Sequence, residues 1–239
     1  MTRSRAIAVG LIIIAAVAVG GYVAYDQVLR GDSAAVLALP SASPVVGASS
    51  ARSVSLDRVL AGTWTVARGS QAGYRVRERL ANLPAESDAV GRTSDVSGSI
   101  ALATNGSITT LNGATISVDT TTIASDKPMR DSRLRNEGLQ TSRFPTATFK
   151  LARPVEVPAA ALAGTAADIT LTGDLTLHGV TRSVQIPAKA QLVNGTIQVA
   201  GSIGFPLADY SIVAPNVGGF IVSIADQGTL EFLAVFAKA

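Results

Sequence analysis

Short segments in which apolar and polar residues alternate recur through residues 56–239, and they constrain the fold more than any other feature of the sequence. In residues 169–177 (ITLTGDLTL), isoleucine or leucine stands at positions 169, 171, 175 and 177, with threonine or aspartate on the other face. Because successive side chains of a strand point to opposite faces, this pattern predicts antiparallel strands with one buried face. Further segments repeat the pattern at residues 114–118, 147–151, 197–205 and 230–236.

Turn and helix patterns separate these segments. Asparagine–glycine pairs tolerate positive φ angles and favour hairpin turns; they occur at residues 105–106, 112–113 and 194–195. Two stretches favour helix, around residues 131–141 and around residues 158–164. About seven to nine strands with an apolar face in one domain are consistent with a sandwich or with a closed barrel, and a barrel of about eight strands can enclose a ligand cavity.

The first 25 residues predict a segment that enters a membrane. Residues 6–25 contain no charged side chain, and as a helix these twenty residues would measure about 30 Å, the thickness of a bilayer's hydrocarbon core. Arg3 and Arg5 precede the apolar run, which favours a cytoplasmic N-terminus and an extracytoplasmic C-terminal domain. We therefore expect a single-pass anchor in the cell membrane. A cleaved signal peptide is the alternative, and it would leave a secreted or periplasmic protein.

The remainder divides into a linker and a domain. Residues 26–55 are rich in Ser, Ala, Val and Pro and sustain no period that could bury a face, which predicts a flexible linker. Residues 56–239 hold the alternating segments and form the expected domain. From residue 56 onward there are sixteen positive and fifteen negative side chains, so the domain has almost no excess of basic charge for a nucleic acid.

His178 is the single histidine, and the chain contains no cysteine. His178-Gly179 falls between two alternating segments, which predicts a hairpin turn and a hydrogen-bonding role, with ligand contact as an alternative. A catalytic histidine would need a nucleophile and an orienting carboxylate, and a metal site would need partner ligands. Neither these partners nor a Gly-x-Ser-x-Gly turn is evident, so we predict no catalytic residue, no metal site and no cofactor.

Two polar features could meet the polar end of a ligand. In YRVRERL, Tyr74, Val76 and Glu78 share the more apolar face of a strand, where an unpaired carboxylate would be costly. We expect Glu78 to pair with an arginine such as Arg92 or Arg130, and ligand contact is the alternative. The cluster around Arg130 in SDKPMRDSRLR is expected to be a solvated helix face, with contact to a head group or a membrane surface as the alternative.

Several blocks of sequence, in order, resemble the YceI-like family. They are GTWTV (62–66), YRVRE (74–78), VGRT (90–93), SDKPMRDSRLRNEGLQTSRFPTATF (125–149), GDLTLHGVTRSV (173–184) and GTLEF (228–232). The similarity extends over about residues 56–237. Many members have histidine where this chain has Glu78, so a contact made by that histidine cannot be transferred.

The resemblance implies an all-β fold: an extended, antiparallel, lipocalin-like barrel of about eight strands with one or two short helices. Here it would be preceded by the transmembrane helix. It also implies that a polyisoprenoid or other long apolar molecule binds inside the barrel, in the bacterial cell envelope. Many members are free in the periplasm after signal cleavage, so an anchor would suggest a carrier working beside the membrane. The candidate ligand-binding residues are Tyr74, Val76, Glu78, Ile116, Arg130, Phe149, Leu175, Leu177, His178, Phe205 and Phe232.

Two other functions are compatible with the residues. Apolar side chains could fill the barrel completely, as they do in small barrels, and the protein would then be an envelope scaffold or interaction protein. A barrel pocket could alternatively hold an isomerase or cyclase site, whose turnover would depend on Glu78 or His178.

Overall fold

Alternating strands form one continuous antiparallel sheet in the computed structural model, which describes residues 33–40, 60–80, 86–214 and 221–239. Within these residues the strands are β1 (Gly62–Val66), β2 (Gln71–Leu80), β3 (Glu86–Thr93), β4 (Val96–Asn105), β5 (Ile108–Asp119), β6 (Thr146–Leu151), β7 (Val155–Val157), β8 (Ala167–Leu177), β9 (Val180–Val193), β10 (Thr196–Pro206) and β11 (Ile221–Lys238).

The sheet closes because its long last strand pairs along both edges. β10 pairs with one edge of β11. On the other edge, Val66 of β1 pairs with Phe236 and Gln71 of β2 pairs with Leu233, so β1 and β2 occupy one position in the wall. β4 and β3 lie against them in the same way and occupy the next position. With β5, β6, β8, β9, β10 and β11 this gives eight wall positions, which confirms the predicted antiparallel barrel of about eight strands.

Both predicted helical stretches contain short helices. α1 (Pro128–Arg133) has proline at its first position, where no backbone donor is needed, and a π-helical turn (Leu134–Gly138) follows it. α2 (Ala159–Leu162) is a single turn. No helix in the described residues is long and apolar enough to cross a membrane. The predicted anchor or signal segment at residues 1–25, and residues 26–32 and 41–55 of the expected linker, lie outside the described residues.

Two of the three asparagine–glycine turns are confirmed and one prediction is wrong. Asn194-Gly195 joins β9 to β10, and both residues have positive φ angles, 51° and 74°. Residues 105–106 likewise join β4 to β5. Residues 112–113 do not form a turn, because β5 continues through them with a bulge opposite Ala101 and Leu102. An extra residue in a paired strand is accommodated as a bulge when the partner strand continues alongside it.

The barrel interior contains two apolar clusters, one near each end. The lower cluster includes Trp64, Ile100 and Phe236, and the Trp64 indole donates a 2.9 Å hydrogen bond to the carbonyl of Leu60. The upper cluster includes Tyr74 and other residues near α1 and the β8–β9 turn, namely Leu139, Leu177, Phe205, Leu207 and Tyr210. The two clusters define the lower and upper ends of the barrel.

Candidate ligand cavity

An apolar cavity of about 260 Å³ lies inside the barrel between the two clusters. Leu111 and Phe236 line its lower part, and Leu177 and Phe205 line its upper part. For comparison, an engineered apolar cavity of about 150 Å³ stays dry and binds benzene. The interior is therefore large enough for an apolar guest, and its side chains do not fill it.

Ten of the eleven residues predicted to contact a ligand line this cavity. They are Tyr74, Val76, Glu78, Ile116, Arg130, Phe149, Leu175, Leu177, Phe205 and Phe232. Nine of them lie on six different strands, and Arg130 lies on α1. Period-two alternation identified the strand residues because it separates the inner face of a barrel from the outer face.

His178 does not line the cavity. It occupies the predicted hairpin turn between β8 and β9, with a φ angle of 51° followed by 76° at Gly179. Its Nδ1 lies 3.0 Å from the carbonyl oxygen of Tyr210, and its ring packs edge-on against Phe144 with centroids 4.5 Å apart. The expected turn position and hydrogen-bonding role are both present, so His178 joins this turn to the 3-10 turn Leu207–Tyr210 that follows β10.

Glu78 and Arg130 form a buried ion pair at the upper end of the cavity. Arg130 Nη2 donates to Glu78 Oε1, and Nη1 donates to Asp126 Oδ1. Glu78 is only 3% exposed, so this arginine provides the partner that a buried carboxylate requires. Burial lowers the pKa of Arg130, but the hydrogen bonds and charges of Glu78 and Asp126 raise it above the usual value. The predicted pairing is confirmed with Arg130, whereas Arg92 pairs with Glu231.

The segment before α1 is held by a second buried carboxylate that the sequence did not single out. Asp131 is 5% exposed and accepts hydrogen bonds of 3.0 and 3.1 Å from the backbone of Ser125, and one of 2.6 Å from its hydroxyl. These bonds fix the loop that presents Arg130. Arg133, one turn further on, also lines the cavity, and its side chain is 37% exposed, so the cavity reaches solvent at this end.

Tyr74 presents an unpaired hydroxyl beside this ion pair. The residue lines the cavity and is 9% exposed, and its buried Oη has no hydrogen-bond partner among the residues that the structure describes. Burial raises its pKa to about 12, an effect that nearby Arg130 only partly offsets. The ring lies so close to Gly91 that a Cβ there would come within 2.3 Å of it. Tyr74 therefore offers a neutral hydrogen-bond donor at physiological pH.

Several lining residues were missed because they lie outside regular strands. The upper part of the cavity is also lined by Ile123, Leu134, Leu139, Leu207, Ile212 and Ala214. Leu134 and Leu139 belong to the π-helical turn and its end, where neither a two-residue nor a 3.6-residue period applies. Their apolar character alone could have suggested that they are buried, but it did not indicate whether they face the cavity.

The family model for the YceI-like domain matches residues 64–236, which is most of the chain and extends from within β1 to within β11. This chain belongs to the YceI-like family. The matched region includes every strand that contributes a residue to the cavity.

Two solved structures share the fold of this YceI-like chain. A polyisoprenoid binding domain from Saccharophagus degradans, implicated in plant cell wall breakdown, aligns with a TM-score of 0.55 and 21% identity, over 75% of this chain and 99% of that domain. BcnA of Burkholderia cenocepacia aligns with a TM-score of 0.53 and 17% identity, over 70% of this chain and 95% of its own. Among curated protein sequences nothing matches this chain.

Proposed function

We propose that this protein binds a long apolar ligand of the polyisoprenoid type inside its barrel. The observation that supports this most directly is the apolar cavity of about 260 Å³ that extends between the upper and lower clusters. Each methylene group moved from water into such a space contributes about 0.8 kcal/mol, so a long tail gains affinity without directed contacts. A barrel that acts only as a scaffold would have no need for this unfilled space.

The polar groups at the upper end favour one orientation of the ligand. The charge of Arg130 is already balanced by Glu78 and Asp126, whereas the hydroxyl of Tyr74 has no partner within the described part of the chain. A buried donor without an acceptor is costly, so an oxygen at the polar end of the ligand would satisfy it. The tail would then extend toward the lower cluster.

The proposed role is binding or carriage without catalysis, outside the cytoplasm and beside the membrane. The uncharged run at residues 6–25 supports the location. Two observations favour a binding role: the single histidine lies outside the cavity lining, and Glu78 is engaged by Arg130. The solved domain from Saccharophagus degradans, described as binding polyisoprenoid, is consistent with this ligand class.

Uptake of tritiated all-trans polyprenols of increasing length tests the proposal. The full chain, purified in mild detergent, is expected to bind them saturably, with affinity that rises with length until the cavity is full. Tyr74→Phe should weaken binding of probes with a carbonyl or hydroxyl end by about 0.5–1.5 kcal/mol and leave pure hydrocarbon probes unaffected. Uptake that is absent or does not saturate would contradict the proposed function.

A further inference from the structure

Residues 33–40, called the strap below, lie against the outer wall of the barrel. At one end the Ser33 hydroxyl donates to the carbonyl of Asp88 on β3, at 3.4 Å. At the other end Gln191 on β9 donates through Nε2 to the carbonyl of Pro40, at 3.4 Å. The wall order between these points is β3, β2, β11, β10 and β9. Four strand spacings measure about 19 Å, and seven extended residue steps reach about 23–25 Å, so an extended strap covers this diagonal path.

A cluster of charged side chains on the outer wall binds the strap backbone. Arg75 donates through Nη2 to the carbonyl of Ala34 at 2.6 Å, and Arg92 donates through Nη2 to the carbonyl of Ala35. Both guanidinium groups also form ion pairs with Glu231: Nη2 of Arg92 lies 2.6 Å from Oε1, and Nη2 of Arg75 lies 3.7 Å from Oε2. The carboxylate therefore holds two arginines in position to bind consecutive main-chain carbonyls.

Burial on the outward face shows that this part of the wall is adapted to being covered. Outward-facing positions of a barrel are normally solvated, yet Glu231 is 1% exposed, Gln191 3% and Ala200 7%. Gly73 lies beside Arg92, and a Cβ at this glycine would come within 2.9 Å of the arginine Cγ. A side chain at Gly73 would collide with the carbonyl oxygen of Gly91, at 2.1 Å, as well as with the Arg92 stem. Charge pairing, burial and close packing thus coincide along one path.

The strap also has a direction relative to the cavity. Asp88, near its first residue, is adjacent to Ser87, which pairs with cavity-lining Glu78 at the upper end. Gln191, near its last residue, lies three residues before the turn that joins β9 to β10 at the lower end. The chain therefore enters the strap at the end of the barrel where the cavity reaches solvent.

We propose that the docked strap shortens the tether between the barrel and the apolar segment at residues 6–25, and so keeps the upper end of the cavity next to that segment. Ligand exchange would then occur at the lipid surface that this segment enters. From Tyr25 to Ser33 the chain can reach at most about 29 Å. Without the docked strap the tether would run from Tyr25 to Leu60, with a reach of about 120 Å. The exchange step rests on the proposed function, whereas the docking does not.

A distance measurement tests the docking. Because the natural chain has no cysteine, nitroxide labels can be placed at Ala38→Cys on the strap and Lys189→Cys on the wall, both of which replace exposed residues. Pulsed electron paramagnetic resonance on the full chain is expected to give one narrow distance distribution. The triple change R75Q/R92Q/E231Q should broaden it, and R77Q is the matched control, because Arg77 is 65% exposed and its ion pairs within the described residues are with carboxylates of β3.

A second variant and a transfer assay complete the test. L37S/L39S alters only the two half-buried strap leucines, so it should release the strap without disturbing the barrel. Lengthening the tether from about eight to about thirty-five residues lowers the effective concentration about ninefold, so extraction of a polyprenol from vesicles that carry the reconstituted protein should slow by about that factor. Binding of the same polyprenol in detergent should not change.

The outcomes separate the two proposals. A broad distribution in the natural sequence, or one that neither variant changes, would overturn the docking. A narrow distribution combined with unchanged vesicle extraction in L37S/L39S would overturn the role in exchange. Failure of every form to bind polyprenol in detergent would refute the proposed function, and the exchange role with it, while the distance distribution would still decide the docking.

Discussion

Replacing Ala114 by phenylalanine distinguishes a hollow barrel from a packed one by the sign of a stability change. Ala114 lies on β5, pairs with Ile100 and lines the cavity, so a benzyl ring at this position would enter unoccupied space. Burying a phenylalanine side chain contributes about 1.5–3 kcal/mol, of which we expect about 1–2 kcal/mol to appear as added stability of the ligand-free protein. In a packed interior the same change would cost about 1–3 kcal/mol.

The assay is urea unfolding of delipidated protein, with Ala101→Phe as the matched control. Ala101 is exposed on β4 and faces outward, so this control should change the free energy of unfolding by less than about 0.5 kcal/mol. Ala114→Phe should also exclude about one isoprene unit of about five carbons, which weakens binding by up to about 4 kcal/mol, or about a thousandfold. A loss of stability in Ala114→Phe, with ligand affinity unchanged, would refute the account of a hollow interior.

Three further predictions concern the upper end of the barrel. Glu78→Ala removes the buried partner of Arg130 and leaves it with the exposed Asp126, so the fold should lose about 1–3 kcal/mol in urea unfolding, whereas E78L/R130M should recover most of that loss; a single variant as stable as the natural protein would contradict the pairing. Because burial raises the pKa of Tyr74, its hydroxyl ionises at lower pH in the unfolded chain than in the folded protein. The free energy of unfolding should therefore be unaffected by Tyr74 below pH 10 and fall by about 3 kcal/mol between pH 10 and 12, and Tyr74→Phe should flatten this part of the pH profile. Asparagine tolerates the positive φ angle of residue 178, so His178→Asn should preserve the hairpin, whereas His178→Val should lower the free energy of unfolding by about 1–2 kcal/mol or more. Equal melting temperatures for the two variants would show that the φ angle does not determine which residues this position accepts.

The barrel wall was predictable because alternation reports directly which face of a strand is buried. Phe149, Leu175 and Phe232 were placed correctly from spacing alone, and the cavity surrounds all three. The same rule could not place Leu139, which reaches the cavity from a π-helical turn. The position of a residue in irregular backbone depends on tertiary contacts that no local period encodes.

Other features depended on partners distant in sequence. An asparagine–glycine pair is a turn at residues 194–195 and a bulge at residues 112–113, and the difference lies in whether the neighbouring strand continues alongside. Glu231 faces outward by its spacing and is nevertheless buried, because Arg75 and Arg92 join it to the strap. The residues of the strap have no alternating or helical pattern, so its contacts with the wall were not anticipated from the sequence.

Native mass spectrometry of the full chain, purified from its own host in mild detergent, shows whether the barrel holds a lipid. We expect the barrel to retain an apolar ligand, and we expect organic extraction to identify it as a polyisoprenoid or similar long-chain lipid. The ligand should be missing from Ala114→Phe and present in Ala101→Phe. A mass equal to that of the bare polypeptide in all three proteins, with no lipid in the extract, would contradict the proposed function.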